Sequence, residues 1–225
     1  MVPEQRILLV AAEPREFAGL LRRCRGRRRL AWPVHWARTA ESGGRRFWMA
    51  ANGAGAAHAA QAVDVAVPAC RPDAIVSMGF CGALDPALRV GDVVVAAGGQ
   101  QPAGPAHRSG GVMTVDHVAQ TAAEKAALRA SGALAVEMEA AGVAGRAEYY
   151  GIPFFCIKSV TDTAGQTFTV DFNQALRCDG HFGTIRILKS AIGNPWKAFP
   201  ELFRLGQSCR IATRTLGDFI AGCRF

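Results

Sequence analysis

The sequence predicts an α/β fold in which a central sheet alternates with helices. Three observations support this prediction: short apolar runs have the length of buried strands, Ala-rich segments between them have the length of helices, and Gly or Pro separates the two. Gly151 and Pro153, for example, end an Ala-rich helix just before the apolar run 154–160. With 225 residues, half of them hydrophobic, the chain suits one domain over 1–225 with a large core.

The apolar patterns also give the order of the elements. We expect strands at 6–12, 34–39, 46–51, 73–78, 91–97, 112–115 and 154–160, and another that ends at Val136. The second and third form a hairpin, because Ser42, Gly43 and Gly44 lie between them. One helix is expected to begin at Pro14, and another to end at Tyr150. Further helices are expected at 56–67, 121–130, 172–176, 180–192 and about 198–221. Lys125 is expected on the outer face of its helix.

Three carboxylates fall at the ends of two predicted strands. Glu137 and Glu139 follow one strand, and Asp162 follows the next. The carboxyl edge of a parallel sheet is where open α/β folds bind ligands, so these side chains predict a binding site there. A second interpretation stays open for the two glutamates, because acidic residues also favour the first turn of a helix.

The same residues resemble a known family. The segment Val136-Glu137-Met138-Glu139-Ala140-Ala141, followed by Ser159-Val160-Thr161-Asp162-Thr163-Ala164, resembles the nucleoside phosphorylase and nucleosidase superfamily, in particular its 5′-methylthioadenosine/S-adenosylhomocysteine nucleosidase branch. The segment 79–84 with 90–95, and the opening segment 7–17, are similar to further motifs of that family. The resemblance implies a three-layer α/β/α domain with a mixed, partly barrel-like sheet, a nucleoside substrate, and no metal or organic cofactor.

The resemblance also implies roles for individual residues. Glu16 would activate the attacking water, with help from Glu137. Asp162 would protonate N7 of the leaving base, and its burial would raise its pKa enough to hold the proton. Glu139 would bind the ribose hydroxyls and stabilise positive charge on the sugar, and Met138 would contact the sugar.

Four further positions complete the predicted site. Gly79, Phe80 and Gly82 match the glycine turn of the family, and Val118 lies where the nucleosidases place an aromatic ring over the base, next to backbone contacts with adenine. Phosphorylases of the superfamily commonly carry an arginine at the position of Ser77 and a hydroxyl residue at that of Phe80. The loss of both favours water as the nucleophile, although Arg38, Arg45 or Arg46 could still supply a cation for phosphate.

The C-terminal quarter is more similar to the hopanoid-associated branch of the superfamily, which implies adenosylhopane as a further candidate substrate. The leading hypothesis is therefore a purine nucleosidase that releases adenine from a 5′-substituted adenosine. Two alternatives stay open: a phosphate-dependent phosphorylase acting on the same substrates, and a nucleoside-binding protein without turnover. The resemblance also implies a homo-oligomer, most simply a dimer.

Composition restricts the partners. Much of the net charge of +8 comes from an arginine-rich segment that we expect to be a solvated helix end and turn, composed of Arg22, Arg23, Arg25, Arg27, Arg28 and Arg29. The segment lacks interleaved aromatics, so we expect no nucleic-acid partner; a weak peripheral membrane contact stays open.

Seven cysteines without a CxxC pair, and no pattern of a signal peptide, indicate a cytoplasmic protein with reduced thiols. The Gly/Pro-rich loop 98–111 is a candidate lid.

Overall fold

A computed structural model describes residues 5–225 of the chain, and its strands belong to one sheet. The strands are β1 (Gln5–Ala11), β2 (Arg25–Arg29), β3 (Trp36–Ser42), β4 (Arg45–Ala51), β5 (Ala74–Ala83), β6 (Val93–Ala96), β7 (Arg108–Thr114), β8 (Ala133–Glu137) and β9 (Phe154–Asp162). Their order is β2-β3-β4-β1-β5-β8-β7-β6-β9. The predicted hairpin is confirmed, because β3 and β4 pair antiparallel.

One half of the sheet closes on itself. Strand β9 pairs in parallel with β5 and antiparallel with β6, so β5, β8, β7, β6 and β9 form a ring. Strand β5 pairs with β1 only as far as Ser77 and with β8 only from Gly82 onward, so it changes neighbours along one edge. The mixed, partly barrel-like sheet that the sequence predicts is therefore confirmed.

Helices cover both faces of the open half of the sheet. The helices of the described residues are α1 (Ala18–Leu21), α2 (Ala56–Cys70), α3 (Ala122–Arg129), α4 (Ala140–Tyr150), α5 (Phe172–Ala175), α6 (Thr184–Ile192) and α7 (Pro195–Gly222), and a short 3₁₀ turn (Pro14–Phe17) precedes α1. Four of them, α1, α2, α4 and α7, cover the open half. Helices α2 and α4 pack on Leu8, Val10 and Ile75 on one face. Helices α1 and α7 pack on Ile7 and Leu9 on the other. The three-layer arrangement is thus confirmed.

The arginine-rich segment differs from the prediction. Helix α1 does end before Arg22, but residues Arg25–Arg29 form the edge strand β2, which pairs antiparallel with β3. Their side chains are exposed, and Arg23 forms an ion pair with Asp218 at 2.6 Å. A row of charged side chains on an edge strand hinders unwanted pairing with another sheet.

Two loops also differ from expectation. Residues 79–83, predicted as a turn, continue strand β5. The Gly/Pro-rich loop shortens to 97–107 because β7 begins at Arg108, and it packs against the end of α7: Ala103 pairs with Arg224, and His107 lies edge-on to Phe219. The predicted lid is therefore wrong, since none of these loop residues lines the large cavity described below.

The C-terminal helices occur where they were predicted, with α7 beginning earlier because Pro195 is accommodated in its first turn. The buried carboxylate of Glu201 anchors α7 by accepting hydrogen bonds from the backbone N–H of Thr169 at 2.9 Å and of Val170 at 3.3 Å. Within residues 5–225, neither α7 nor any shorter helix combines the length and the hydropathy that crossing a bilayer requires.

Candidate functional site

A cavity of about 520 Å³ opens where β5 changes neighbours, at the ends of β1, β5, β8 and β9. Every site residue predicted from the sequence lines it except Gly79, which lies directly beneath Glu16. The predicted residues that line it are Glu16, Phe80, Gly82, Val118, Glu137, Met138, Glu139 and Asp162. The structure thus brings together residues from five separate segments of the chain.

Glu16 is held at the base of the cavity by backbone donors. It belongs to the 3₁₀ turn after β1, and its side chain is buried. One carboxylate oxygen accepts a hydrogen bond from Glu13 N–H at 2.7 Å, and the other accepts one from Phe80 N–H at 2.8 Å. Burial raises the pKa of Glu16, while these two donors and the charge of Lys158 oppose the rise. A carboxylate with a raised pKa suits proton abstraction from water.

Two glycines of β5 are required by the carboxylates beside them. A Cβ atom at Gly79 would lie 2.5 Å from Oε1 of Glu16, and its φ of +146° also disfavours other residues. A Cβ atom at Gly82 would lie 2.9 Å from Oδ2 of Asp162. The glycine motif therefore makes room for the two side chains that we predict to be catalytic.

Lys158 joins two of the carboxylates and was not predicted from the sequence. It lies within β9, is completely buried, and places Nζ 2.8 Å from Glu137 and 3.6 Å from Glu139. Burial alone would lower its pKa, but the two carboxylates more than offset this effect and raise it. The signal in the sequence was a single lysine inside the apolar run of β9, since a buried lysine needs an anionic partner.

The carboxylate of Glu137 is hydrogen-bonded mainly to neighbouring groups of the protein. It accepts hydrogen bonds from the Thr114 hydroxyl at 2.5 Å and from the backbone N–H groups of Glu139 and Ala140 at 2.9 and 2.8 Å, at the start of α4. Burial would raise its pKa, but Lys158 and these donors outweigh burial, so the pKa is lowered. Glu137 is therefore an ionised carboxylate that fixes the start of α4.

Glu139 has a freer side chain. It accepts a hydrogen bond from Gly55 N–H at 3.1 Å and is buried at the cavity wall. Burial raises the pKa of Glu139 to about 7; Lys158 opposes this rise, and the charges of Glu137 and Glu16 add to it. Its charge therefore changes near neutral pH, unlike that of Glu137.

Asp162 forms a buried ion pair with Lys125. The ammonium of Lys125 lies 2.5 Å from Oδ2, and the Thr161 hydroxyl donates to Oδ1 at 2.8 Å. We expected Lys125 on the outer face of its helix, but it is completely buried and also donates to the carbonyl of Thr163 at 3.0 Å. Asp162 is buried, as expected, but its ion pair with Lys125 was not predicted from the sequence. We call Glu16, Glu137, Glu139 and Asp162, with Lys125 and Lys158, the carboxylate floor.

The segment that was predicted to hold the base is fixed by an amide side chain. Asn173 of α5 accepts from Val118 N–H at 2.8 Å and donates to Val118 C=O at 3.0 Å. The backbone of Val118 is therefore already occupied. The adjacent Ala119 is buried and lines the cavity, and its backbone N–H and C=O have no hydrogen-bond partner within residues 5–225. Such groups are available to a polar ligand.

Large apolar side chains form a second part of the lining, beside which Glu13, Arg15, His117, Thr161 and Thr184 also line the cavity. We call this second part the apolar wall; it consists of Phe168, Phe172, Phe182, Ile187, Leu202 and Leu205. Cys209 of α7 also lines the cavity. Burial raises the pKa of its thiol to about 11; the charge of Arg15 opposes this rise, and the charges of Glu16 and Asp162 add to it. The apolar wall thus suits a hydrocarbon group.

The three arginines considered as phosphate ligands lie elsewhere. Arg38 lies over the ring of Trp36, Arg45 donates to carbonyls at the end of α7, and Arg46 pairs with Glu41 at 2.9 Å. The arginine that lines the cavity is Arg15, which forms an ion pair with Glu13 at 2.6 Å.

Comparison with known proteins assigns the chain to a class. A profile of the phosphorylase superfamily matches residues 6–101 and 97–179, which together span most of the chain. The protein therefore belongs to the phosphorylase superfamily, and the resemblance seen in its motifs is confirmed.

Its relatives include a curated 5′-methylthioadenosine/S-adenosylhomocysteine nucleosidase of Geobacillus thermodenitrificans, which is 29% identical over 165 residues, covering 56% of this chain and 70% of the relative. Among solved structures, the Neisseria meningitidis 5′-methylthioadenosine/S-adenosylhomocysteine nucleosidase in complex with methylthio-immucillin-A is 20% identical with a TM-score of 0.68, over 96% of this chain and 99% of that one. Futalosine hydrolase of Helicobacter pylori also has a TM-score of 0.68, at 16% identity over 96% and 95% of the two chains. These structures support the assigned fold.

Proposed function

We propose that the protein is a purine nucleosidase that hydrolyses the N-glycosidic bond of a 5′-substituted adenosine and releases adenine. The observation that carries this proposal is the convergence of Glu16, Glu139 and Asp162 on one cavity, each on a separate segment of the chain. The relationship to curated 5′-methylthioadenosine/S-adenosylhomocysteine nucleosidases supports it.

The reaction needs a nucleophile and a stabilised sugar cation. Glu16 takes a proton from water as the water oxygen bonds to C1′ of the ribose, because its raised pKa makes it a competent base. Ionised Glu139 accepts hydrogen bonds from the ribose hydroxyls and stabilises the positive charge that develops on the sugar, and Met138 packs against the ring. Glu137, held by Thr114 and Lys158, supports the start of α4 on which Glu139 lies.

The reaction also needs a proton for the leaving base. As the bond between C1′ and N9 breaks, N7 of adenine receives a proton through Asp162. Lys125 donates a hydrogen bond to Oδ2 of this carboxylate at 2.5 Å and holds it in position for that transfer. The unpaired backbone groups of Ala119 would bind the hydrogen-bonding edge of the base, and Asn173 would hold that segment in position through Val118.

Two contacts favour water over phosphate as the nucleophile. The N–H of Phe80, one of the amides that could bind an anion at the glycine motif, already donates to Glu16. Arg15, the cation at the cavity, is paired with Glu13. A phosphate dianion would therefore meet a carboxylate and a neutralised arginine instead of free donors.

The apolar wall favours a hydrocarbon-like 5′ group. A homocysteinyl group carries an ammonium and a carboxylate, which need polar partners; Arg15 and His117 line the cavity but are already paired with Glu13 and Glu124, and the apolar wall offers no polar group. A methylthio group or a larger hydrocarbon fits better, and an adenosylhopane-type substrate agrees with the resemblance of the C-terminal quarter to the hopanoid-associated branch. We further propose that the enzyme is a cytoplasmic homodimer; sedimentation velocity tests the dimer.

Product analysis tests the proposed function. Incubation with 5′-methylthioadenosine should give adenine and free methylthioribose at the same rate with and without phosphate. Glu16→Gln should remove this activity by about 10²–10⁴-fold. A product that is formed only with phosphate, as the sugar 1-phosphate, would instead identify a phosphorylase. Adenine binding without turnover of methylthio or longer alkyl substrates would indicate a binding protein.

A further inference from the structure

The outer surfaces of α6 and α7 expose large apolar side chains. On α6, Ile185 is 71% exposed, and on α7 Trp196 is 90% exposed and Phe203 67% exposed. In each helix the exposed apolar residues are spaced by three and then four positions, so each set lies on one helix face. We call them together the apolar stripe: Ile185, Leu188, Ile192, Trp196, Phe199 and Phe203.

The charges around the apolar stripe have one sign. The exposed charged residues of the segment 184–214 are all cations: Arg186, Lys189, Lys197, Arg204, Arg210 and Arg214. The single acid of this segment, Glu201, is buried and used by the backbone of Thr169 and Val170. The surface therefore combines an apolar face with cationic flanks.

We propose that the apolar stripe docks this protein onto an anionic lipid bilayer. Helices that lie in the membrane interface combine exposed Trp, Phe and Leu with Lys and Arg, and anionic headgroups attract those cations. A second copy of the chain fits this surface less well. A two-fold symmetric contact places the same patch on both partners, so the cationic flanks would face each other.

The apolar stripe lies on the same two helices as part of the cavity lining, which relates docking to the substrate. The opposite faces of the same two helices contribute Ile187, Leu202 and Leu205 to the apolar wall of the cavity. Docking would therefore bring the two helices that carry part of the apolar wall to the bilayer surface, where a nucleoside with a large hydrocarbon 5′ group would partition. This step rests on the proposed function, specifically on its apolar 5′ group.

Vesicle co-sedimentation of the full chain tests the proposal. The protein should bind vesicles of phosphatidylcholine with phosphatidylglycerol more tightly than vesicles of phosphatidylcholine alone, and raised salt should weaken binding. The triple variant Trp196→Ser, Phe199→Ser, Phe203→Ser should bind at least about tenfold more weakly, because it loses the buried aromatic area. The control Tyr149→Ser, 71% exposed on α4, should bind as the wild type does.

A second variant separates this surface from the other cationic one. Arg25→Gln with Arg28→Gln and Arg29→Gln removes three of the four positive charges of β2 and should leave vesicle binding within about twofold of wild type. The proposal is overturned if the wild-type protein does not bind anionic vesicles, if the β2 variant rather than the aromatic variant loses binding, or if the aromatic variant changes only the oligomeric state. Turnover of soluble 5′-methylthioadenosine by the aromatic variant should be unchanged, which keeps this outcome separate from the proposed function.

Discussion

The carboxylate floor and the apolar wall line the same cavity but are built differently. The floor lies within the residues matched by the superfamily profile, and buried ion pairs and backbone donors fix its side chains. The wall comes largely from Phe182, Ile187, Leu202 and Leu205, beyond the matched residues, and is held by apolar packing. Under the proposed function, the floor carries the reaction and the wall contacts the 5′ group, so the two roles belong to separate parts of the chain.

The largest expected effect is on the floor. Asp162→Asn should lower kcat by about 10³–10⁴-fold for every substrate, whatever its 5′ group, because the proton for N7 no longer has a carboxyl donor. Steady-state kinetics on adenosine and on 5′-methylthioadenosine would measure it. Circular dichroism would check that the variant is folded, because the substitution removes the buried counter-charge of Lys125. Turnover within a few-fold of wild type would remove Asp162 from the mechanism.

The second effect concerns stability. Lys158→Met leaves Glu137 and Glu139 without their buried counter-charge, so the free energy of unfolding should fall by about 3–5 kcal/mol. Urea denaturation would measure the change. The double variant Lys158→Met with Glu137→Gln should recover part of the loss. An unchanged unfolding midpoint for the single variant would show that the ion pairs do not stabilise the floor.

The third effect is the pH dependence of stability. The pKa of Glu139 is raised to about 7 in the folded protein, and that of Glu16 is also raised. A carboxyl with a raised folded pKa stabilises the protein most at low pH, and this contribution is lost as pH rises through that pKa. The free energy of unfolding should therefore fall by on the order of 2–3 kcal/mol between pH 5 and 8.

A Glu139→Gln variant provides the control for this pH dependence. It should show a clearly smaller decrease over the same range. The remainder is due to Glu16 and to His117, whose pKa is raised by hydrogen bonds to Asp116 and Glu124, while His35, whose pKa is lowered by burial, acts in the opposite direction. Glu137 does not contribute there, because its pKa is lowered and its effect falls at more acidic pH. Stability that instead rises toward pH 8 in the wild type would contradict the buried position of Glu139.

The smallest effect should belong to the wall alone. Leu205→Ser should raise KM by about tenfold for substrates with long alkylthio 5′ groups and by less than about twofold for adenosine, because it weakens only the hydrocarbon contact. The ratio of kcat/KM between the two substrates would measure it. An equal loss for both substrates would show that floor and wall do not act separately.

Much of the fold followed from the sequence, for identifiable reasons. Apolar runs and glycine or proline stops indicate strands and helices locally, and the β3–β4 hairpin was confirmed in this way. Strand β2 was missed because Arg25–Arg29 has no apolar alternation; its pairing with β3 makes it a strand. The assigned roles of Glu16, Glu139 and Asp162 stay predictions, although their convergence on one cavity agrees with them.

The partners of these carboxylates could not be predicted. Lys125 and Asp162 are 37 residues apart in the chain, and a lysine on a short helix looks the same in sequence whether it faces solvent or a buried acid. Lys158 carried a weak signal, a charge inside an apolar strand, but not the identity of its partners. The amide of Asn173 holds Val118 across 55 residues and gave no signal at all. Such contacts depend on tertiary packing, which local patterns do not contain.

The change of neighbours along β5 has a consequence for where any chemistry can occur in this molecule. Between Ser77, the last partner of β1, and Gly82, the first partner of β8, one edge of β5 has no adjacent strand, so its peptide groups must find other acceptors. The backbone N–H of Phe80 donates a hydrogen bond to the carboxylate of Glu16. The change of strand neighbours therefore produces both the opening and a backbone N–H that needs an acceptor from outside the sheet. The opening is therefore a property of the strand pairing, and the side chains that line it come from several other segments of the chain.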